Sequence, residues 1–195
     1  MTTAQPKICV ILGSGTLVGP TRPRTLTRLC RRVAALPDRP ISRRRQPGRF
    51  QIETRRVFRF DGARVQVFWR RDQSPWATIA KTGDDASIES AEATLEQFCQ
   101  LVGAELGDFR VRNIVASLST ATRSSADMMT FLQQHVQAEP CIATLVSRHD
   151  MVKIKLSNGS VALFFHDTII FTQLKTLAEL DACVAWLRTC GLIAA

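Results

Sequence analysis

Arg43, Arg44, Arg45, Arg49, Arg55, Arg56, Arg70 and Arg71 crowd a short stretch of this chain. Guanidinium groups at that density meet phosphates, and each such contact adds affinity without sequence information. The whole chain agrees: Lys+Arg number 26 against 17 Asp+Glu, a formal charge of +9, so polyanions are the first partners to consider. The excess could also serve solubility alone, and Arg43-Arg44-Arg45 reads equally as a localisation signal or a solvated loop. Groups that could do covalent chemistry are poorly arranged. His135, His149 and His166 are scattered, without a serine or cysteine at catalytic spacing. Cys9, Cys30, Cys99, Cys141, Cys183 and Cys190 form no C-x-x-C pair and have no histidines at zinc-finger spacing, so they read as small apolar residues of a reduced, intracellular protein. Val10 to Gly19 resembles a glycine loop that cradles phosphate after a strand. Pro20, Pro23 and arginines then occupy the place where a nucleotide-binding fold needs its helix, which disfavours the enzyme reading.

The elements that would position these groups follow from hydrophobic periodicity. In the first half, Lys7 to Leu12 reads as a strand broken by Gly13-Ser14-Gly15-Thr16, and Thr25 to Ala35 as a helix ended by Pro37-Asp38-Arg39-Pro40. Arg43 to Gly48 is then a basic turn. Strands follow near Arg49-Arg56, Val57-Phe60 and Arg64-Trp69, with Asp61-Gly62 a hairpin turn. The loop Arg70 to Pro75 leads to strand Trp76-Lys81, and a helix runs from Ser87 to Gly103. The second half predicts strand Phe109-Leu118, a helix from about Ser125 to Val136, and strands Cys141-Val146, Met151-Leu156, Val161-Phe165 and Ile169-Leu174. Asn158-Gly159 and His166-Asp167 are its turns, and a last helix spans Leu177 to Gly191. No apolar stretch approaches the length of a membrane span. Met1-Thr2-Thr3-Ala4-Gln5-Pro6 lacks a signal peptide's charged and apolar regions, so the expected site of action is inside a cell.

The two halves repeat one another. Lys7 to Leu12 matches Phe109 to Leu118, Arg64 to Phe68 matches Val161 to Phe165, and Thr78 to Thr82 matches Thr168 to Thr172. In the closing helices Leu95, Phe98, Cys99 and Val102 fall opposite Cys183, Trp186, Leu187 and Cys190. The expected architecture is α+β: two units, 1–107 and 108–195, related by a pseudo-twofold and fused into one curved antiparallel sheet with helices on its convex face. The opposite face is left open to something large.

Asp108 to Val115, Val161 to Thr172, and Gly48-Arg49-Phe50 with Phe68 resemble segments of the TATA-box-binding protein family, whose saddle-shaped sheet grips the DNA minor groove. The resemblance runs from about Lys7 to the C-terminus. It implies a transcription initiation factor that binds and bends double-stranded promoter DNA and recruits other initiation factors by its helical face, without active site, cofactor or metal. It assigns Phe50, Phe68 and Phe165 as wedges between base steps, Asn113 and Thr172 as groove donors, and Val115 and Leu163 as contacts to sugars and base edges. Arg49, Arg55, Arg70 and Arg71 would hold phosphates. Two departures stand out. Cys9 occupies the place of a first-repeat asparagine, and no phenylalanine stands near Arg148, where a fourth wedge belongs. These departures and the arginine insertions suggest a viral or remote branch acting in the nucleus or at a site of viral transcription. The competing reading is a saddle-fold protein-interaction module that has lost DNA bending. As ordinary strand residues, the phenylalanines would be core and Asn113 a strand-edge hydrogen-bonding group. An uncovered apolar face also favours self-association.

Overall fold

A computed structural model describes residues 5–19, 37–44, 53–70, 73–120, 126–130, 142–146 and 151–193, with backbone alone at 37–44, 53–55, 70 and 142–146. The expected helix Thr25–Ala35, together with Phe50, Arg49, Arg71, Arg148, His135, His149, Cys30 and Cys141, lies outside these residues or their described side chains. The elements in order are β1 (Lys7–Val18), β2 (Pro37–Arg44), β3 (Glu53–Phe60), β4 (Ala63–Arg70), β5 (Gln73–Thr82), α1 (Ile88–Leu101), β6 (Glu105–Ser119), β7 (Ile142–Val146), β8 (Met151–Lys155), β9 (Val161–Phe164), β10 (Thr168–Leu174) and α2 (Leu177–Thr189). Residues 126–130 are also helical. The protein is α+β, and its sheet strands pair antiparallel.

Contacts divide the chain into two units, Val10–Arg112 and Met1–Cys9 with Asn113–Ala195. In the first unit the strand order is β2-β3-β4-β5-β1. Alternation decides its faces. Val65 and Val67 on β4 and Ala77 and Ile79 on β5 are buried, while Gln66, Phe68, Trp76 and Thr78 between them are half-exposed. Helix α1 covers the buried side: Phe98 packs on Phe58 and Phe60 at ring separations of 5.3 and 5.8 Å. Its N-terminus is closed by a capping box in which Ser87 and Ser90 exchange backbone and side-chain hydrogen bonds. Asp61 and Gly62 both have positive φ, 46° and 67°, as a two-residue turn between right-twisted strands requires.

Four sequence expectations are corrected here. Gly13 to Thr16 does not break the first strand: β1 runs through it to Val18. The reason is non-local, because a Cβ at Gly13 would stand 2.5 Å from the Phe109 ring and one at Gly15 2.5 Å from Leu106 Cδ1. The glycines admit neighbouring side chains, and the stretch that resembles a phosphate loop is strand. Pro37 to Pro40 belongs to β2, not to a helix end. That strand ends the unit's strand order and carries two register shifts, a position where proline removes no needed ladder bond. The stretches near Arg49–Arg56 and Val57–Phe60, expected as separate strands, join at Glu53 to Phe60 as β3, and Gln73 to Pro75 already lies in β5.

In the second unit the order is β7-β8-β9-β10-β6. Val152, Ile154, Ala162, Phe164, Ile169, Phe171, Ala116 and Leu118 form its buried face in matched register. Helix α2 contributes Leu180, Cys183, Val184 and Leu187 and is capped by Thr176 with Glu179. The stripe pairing expected between the helices is therefore shifted by one residue. Ala91, Thr94, Leu95 and Phe98 correspond to Leu180, Cys183, Val184 and Leu187, and Ser87 corresponds to Thr176; Trp186 and Cys190 are only half-buried.

Candidate nucleic-acid interface

The second unit brings its predicted residues together around one bulge. Between Phe171 and Leu174 the register of β10 against β6 slips, and Gln173 takes φ 62°. A bulge re-aims the side chain beside it. Here that side chain is Thr172, whose Oγ1 accepts a hydrogen bond from Asn113 Nδ2 at 3.1 Å. Because the threonine accepts, its own hydroxyl hydrogen remains a donor, and Nδ2 carries a second hydrogen. Asn113 Oδ1 is buried and has no hydrogen-bond partner among the described residues. Val115 and Leu163 are half-buried and alternate with the core residues Ile114, Ala116, Ala162 and Phe164, so they share the face turned from α2 with Asn113 and Thr172. Lys153 and Lys155, exposed residues that alternate with buried Val152 and Ile154 on β8, have no role in the resemblance, and Lys153 is in register with Leu163.

Phe165 is half-buried just beyond β9. Its backbone N–H donates to Thr168 O at 2.8 Å, closing the turn that holds exposed His166 and Asp167. Cys9 is half-buried with Sγ 3.2 Å from Ser117 Oγ, a pair that offers weaker and shorter polar groups than an amide.

In the first unit Phe68 does not stand alone. Its ring is stacked on Trp76, directly opposite across β4 and β5, at 5.1 Å and 7°. Trp76 borders a groove of about 540 Å³ with Ser14, Arg110 and Arg112. Arg112 Nε donates to Ser14 Oγ at 2.6 Å. Register alone could have revealed Trp76, since the strand-turn-strand pattern places it opposite Phe68. Arg110 and Arg112 lie in Asp108 to Val115, where the resemblance assigns roles only to Asn113 and Val115. Arg55 pairs with Phe68 in the β3–β4 ladder, and Arg70 pairs with Gln73.

Among the described residues no group of three or more metal-ligating side chains occurs, and no helix is long and apolar enough to cross a membrane. A scan against family models and a search of curated proteins find no match to this chain.

Proposed function

We propose that the protein is a duplex-DNA-binding transcription initiation factor of the TATA-box-binding type, using the sheet faces turned away from α1 and α2. In this reading the chain is a duplicated unit, each copy offers one sheet face to DNA, and its helices recruit further initiation factors inside the cell. Support for duplication comes from the shared order of elements: a strand, four more antiparallel strands and a capped helix in each unit, with the first strand beside the last. The observation that carries the functional reading is the Asn113–Thr172 pair, which puts two hydrogen-bond donors beside half-buried Val115 and Leu163. A·T pairs offer only acceptors in the minor groove, adenine N3 and thymine O2, and a donor pair with flanking apolar groups matches them. Phe165 is the wedge in this unit. A net charge of +9 supplies the phosphate attraction.

The test is a mobility-shift titration of the full chain on A·T-rich and G·C-rich duplexes over a salt series, with bending read by end-to-end energy transfer. The expected result is a steep salt slope, a preference for the A·T duplex and a bend that Phe165→Ala reduces more than it reduces affinity. A chain that binds neither duplex, or binds both equally without bending, would sink the proposal, and the protein-interaction reading would replace it.

A further inference from the structure

We infer that the Val10–Arg112 unit carries a second nucleic-acid site, a stacking platform for unpaired bases of single-stranded DNA, built from Trp76 and Phe68 with Arg110 and Arg112. The two rings lie nearly parallel at 7° and half-exposed, on a ladder whose alternate residues Val65, Val67, Ala77 and Ile79 are almost fully buried. That packing, on the other side of the sheet, fixes the β4–β5 register that sets the two rings opposite one another. Rigid aromatic faces on a sheet bind bases with little ordering cost, and any base can stack because each has a π-face. Bases in a duplex have their faces covered by neighbours, so the platform takes a base that has left its stack.

The groove beside Trp76, at about 540 Å³, is within the size range of small-molecule sites. Its polar groups are asymmetric. Arg112 donates through Nε to Ser14, which sets the guanidinium plane, and among the described residues its Nη donors are left for a phosphate; Arg110 lines the same groove. Asp108, also in the groove, is an acceptor that repels a second phosphate and suits an N–H donor on a base edge, thymine N3–H included. One phosphate at the arginines and one base on Trp76 is the arrangement these charges favour.

This inference goes beyond the duplex reading, and either can fail alone. The test titrates the full chain with a short dye-labelled oligothymidylate by anisotropy, in parallel with the A·T-rich duplex. Trp76→Ala should weaken oligothymidylate binding by about 5-fold or more, while Trp76→Phe, which keeps an aromatic face, restores most of it. Arg112→Gln should lower the salt slope for the single strand by roughly 0.7, the loss of one phosphate contact. Oligothymidylate that does not bind, binding indifferent to Trp76→Ala, or a Trp76→Phe variant as weak as Trp76→Ala would each overturn the platform. Equal competition by an acidic peptide would also overturn it, by reducing the site to general charge attraction. Failure of the duplex reading is seen elsewhere, in a duplex that is not bent and does not respond to Asn113.

Discussion

Asn113→Ala separates function from folding because the two respond with different signs. In the folded protein the side chain makes one neutral hydrogen bond, Nδ2 to Thr172 Oγ1 at 3.1 Å, worth about 0.5–1.5 kcal/mol net. Against this stands Oδ1, buried without a partner among the described residues, a desolvation cost of about 1–3 kcal/mol. Truncation removes both terms. The expected change in unfolding free energy is therefore within about 1 kcal/mol of zero, with stabilisation as the more natural sign. On A·T-rich DNA the same change deletes an amide donor and should cost about 1–3 kcal/mol, roughly 5- to 150-fold in Kd. Thr172→Val differs instructively: it leaves the amide in place with both ends unmet, so it should destabilise the fold by about 1–3 kcal/mol as well as weaken DNA binding. Urea denaturation and anisotropy titration on one preparation of each variant measure both quantities. If Asn113→Ala unfolds as easily as Thr172→Val and still binds A·T DNA like the parent, the donor argument is refuted.

Three further outcomes test the scaffold. Lys81 is buried within β5 while its Nζ donates to Asp61 O at 3.0 Å and lies 3.4 and 3.3 Å from the exposed carboxylates of Asp61 and Asp85; Lys81→Met should cost about 1.5–3 kcal/mol, mostly from the unmet turn carbonyl, with little salt dependence in denaturation curves. Gly13→Val must displace the Phe109 ring and Ile79, so a loss of about 1–3 kcal/mol is expected, and Phe109→Ala in the same chain should recover part of it. Burial, with Glu96 nearby, pushes the Cys99 thiol from its ordinary value of 9.0 up to about 11. The unfolded chain then ionises first, so this contribution to stability is full below pH 9 and is lost as pH rises through about 11; a Cys99→Ala variant should show a flatter decline over that window.

Much of the scaffold was legible because its signals are local. Strand periodicity located β6 and β8 to β10 within a few residues, Asp61-Gly62 and Asn158-Gly159 marked the β3–β4 and β8–β9 turns, and Ser87 marked a helix start. What failed depends on partners distant in sequence. Gly13 and Gly15 look like breakers until Phe109 and Leu106 are seen to fill the space above them. Lys81 is expected only as a strand end, and the sheet register and the helix start bring Asp61 and Asp85 to it. Phe68 is named without a neighbour in the sequence, and the register adds Trp76 as its stacking partner. The expected helix stripes are off by one residue, because the caps Ser87 and Thr176 stand one residue further apart in the chain than the terminal glycines Gly103 and Gly191 do. At the site, Asn113 and Thr172 were both named from the resemblance, but the β10 bulge that aims one at the other has no mark in composition or spacing.

Under the proposed function, these particulars bound how selective the protein can be. The Asn113–Thr172 pair contributes one set of directed donors, while the corresponding place in β1 holds Cys9, engaged with Ser117. A single good donor pair discriminates by about 1–3 kcal/mol, whereas six to ten phosphate contacts shift affinity by about 10³–10⁵ between low and moderate salt. With a formal charge of +9, the electrostatic share dominates, so sequence preference must come mainly from the cost of deforming the duplex around Phe165 and from whatever the helices recruit. A factor built this way holds DNA readily and reads it weakly. That division makes an unpaired-base platform in the first unit useful, because Trp76 and Arg112 grip a strand only after it has opened, a state that no amount of phosphate contact can distinguish.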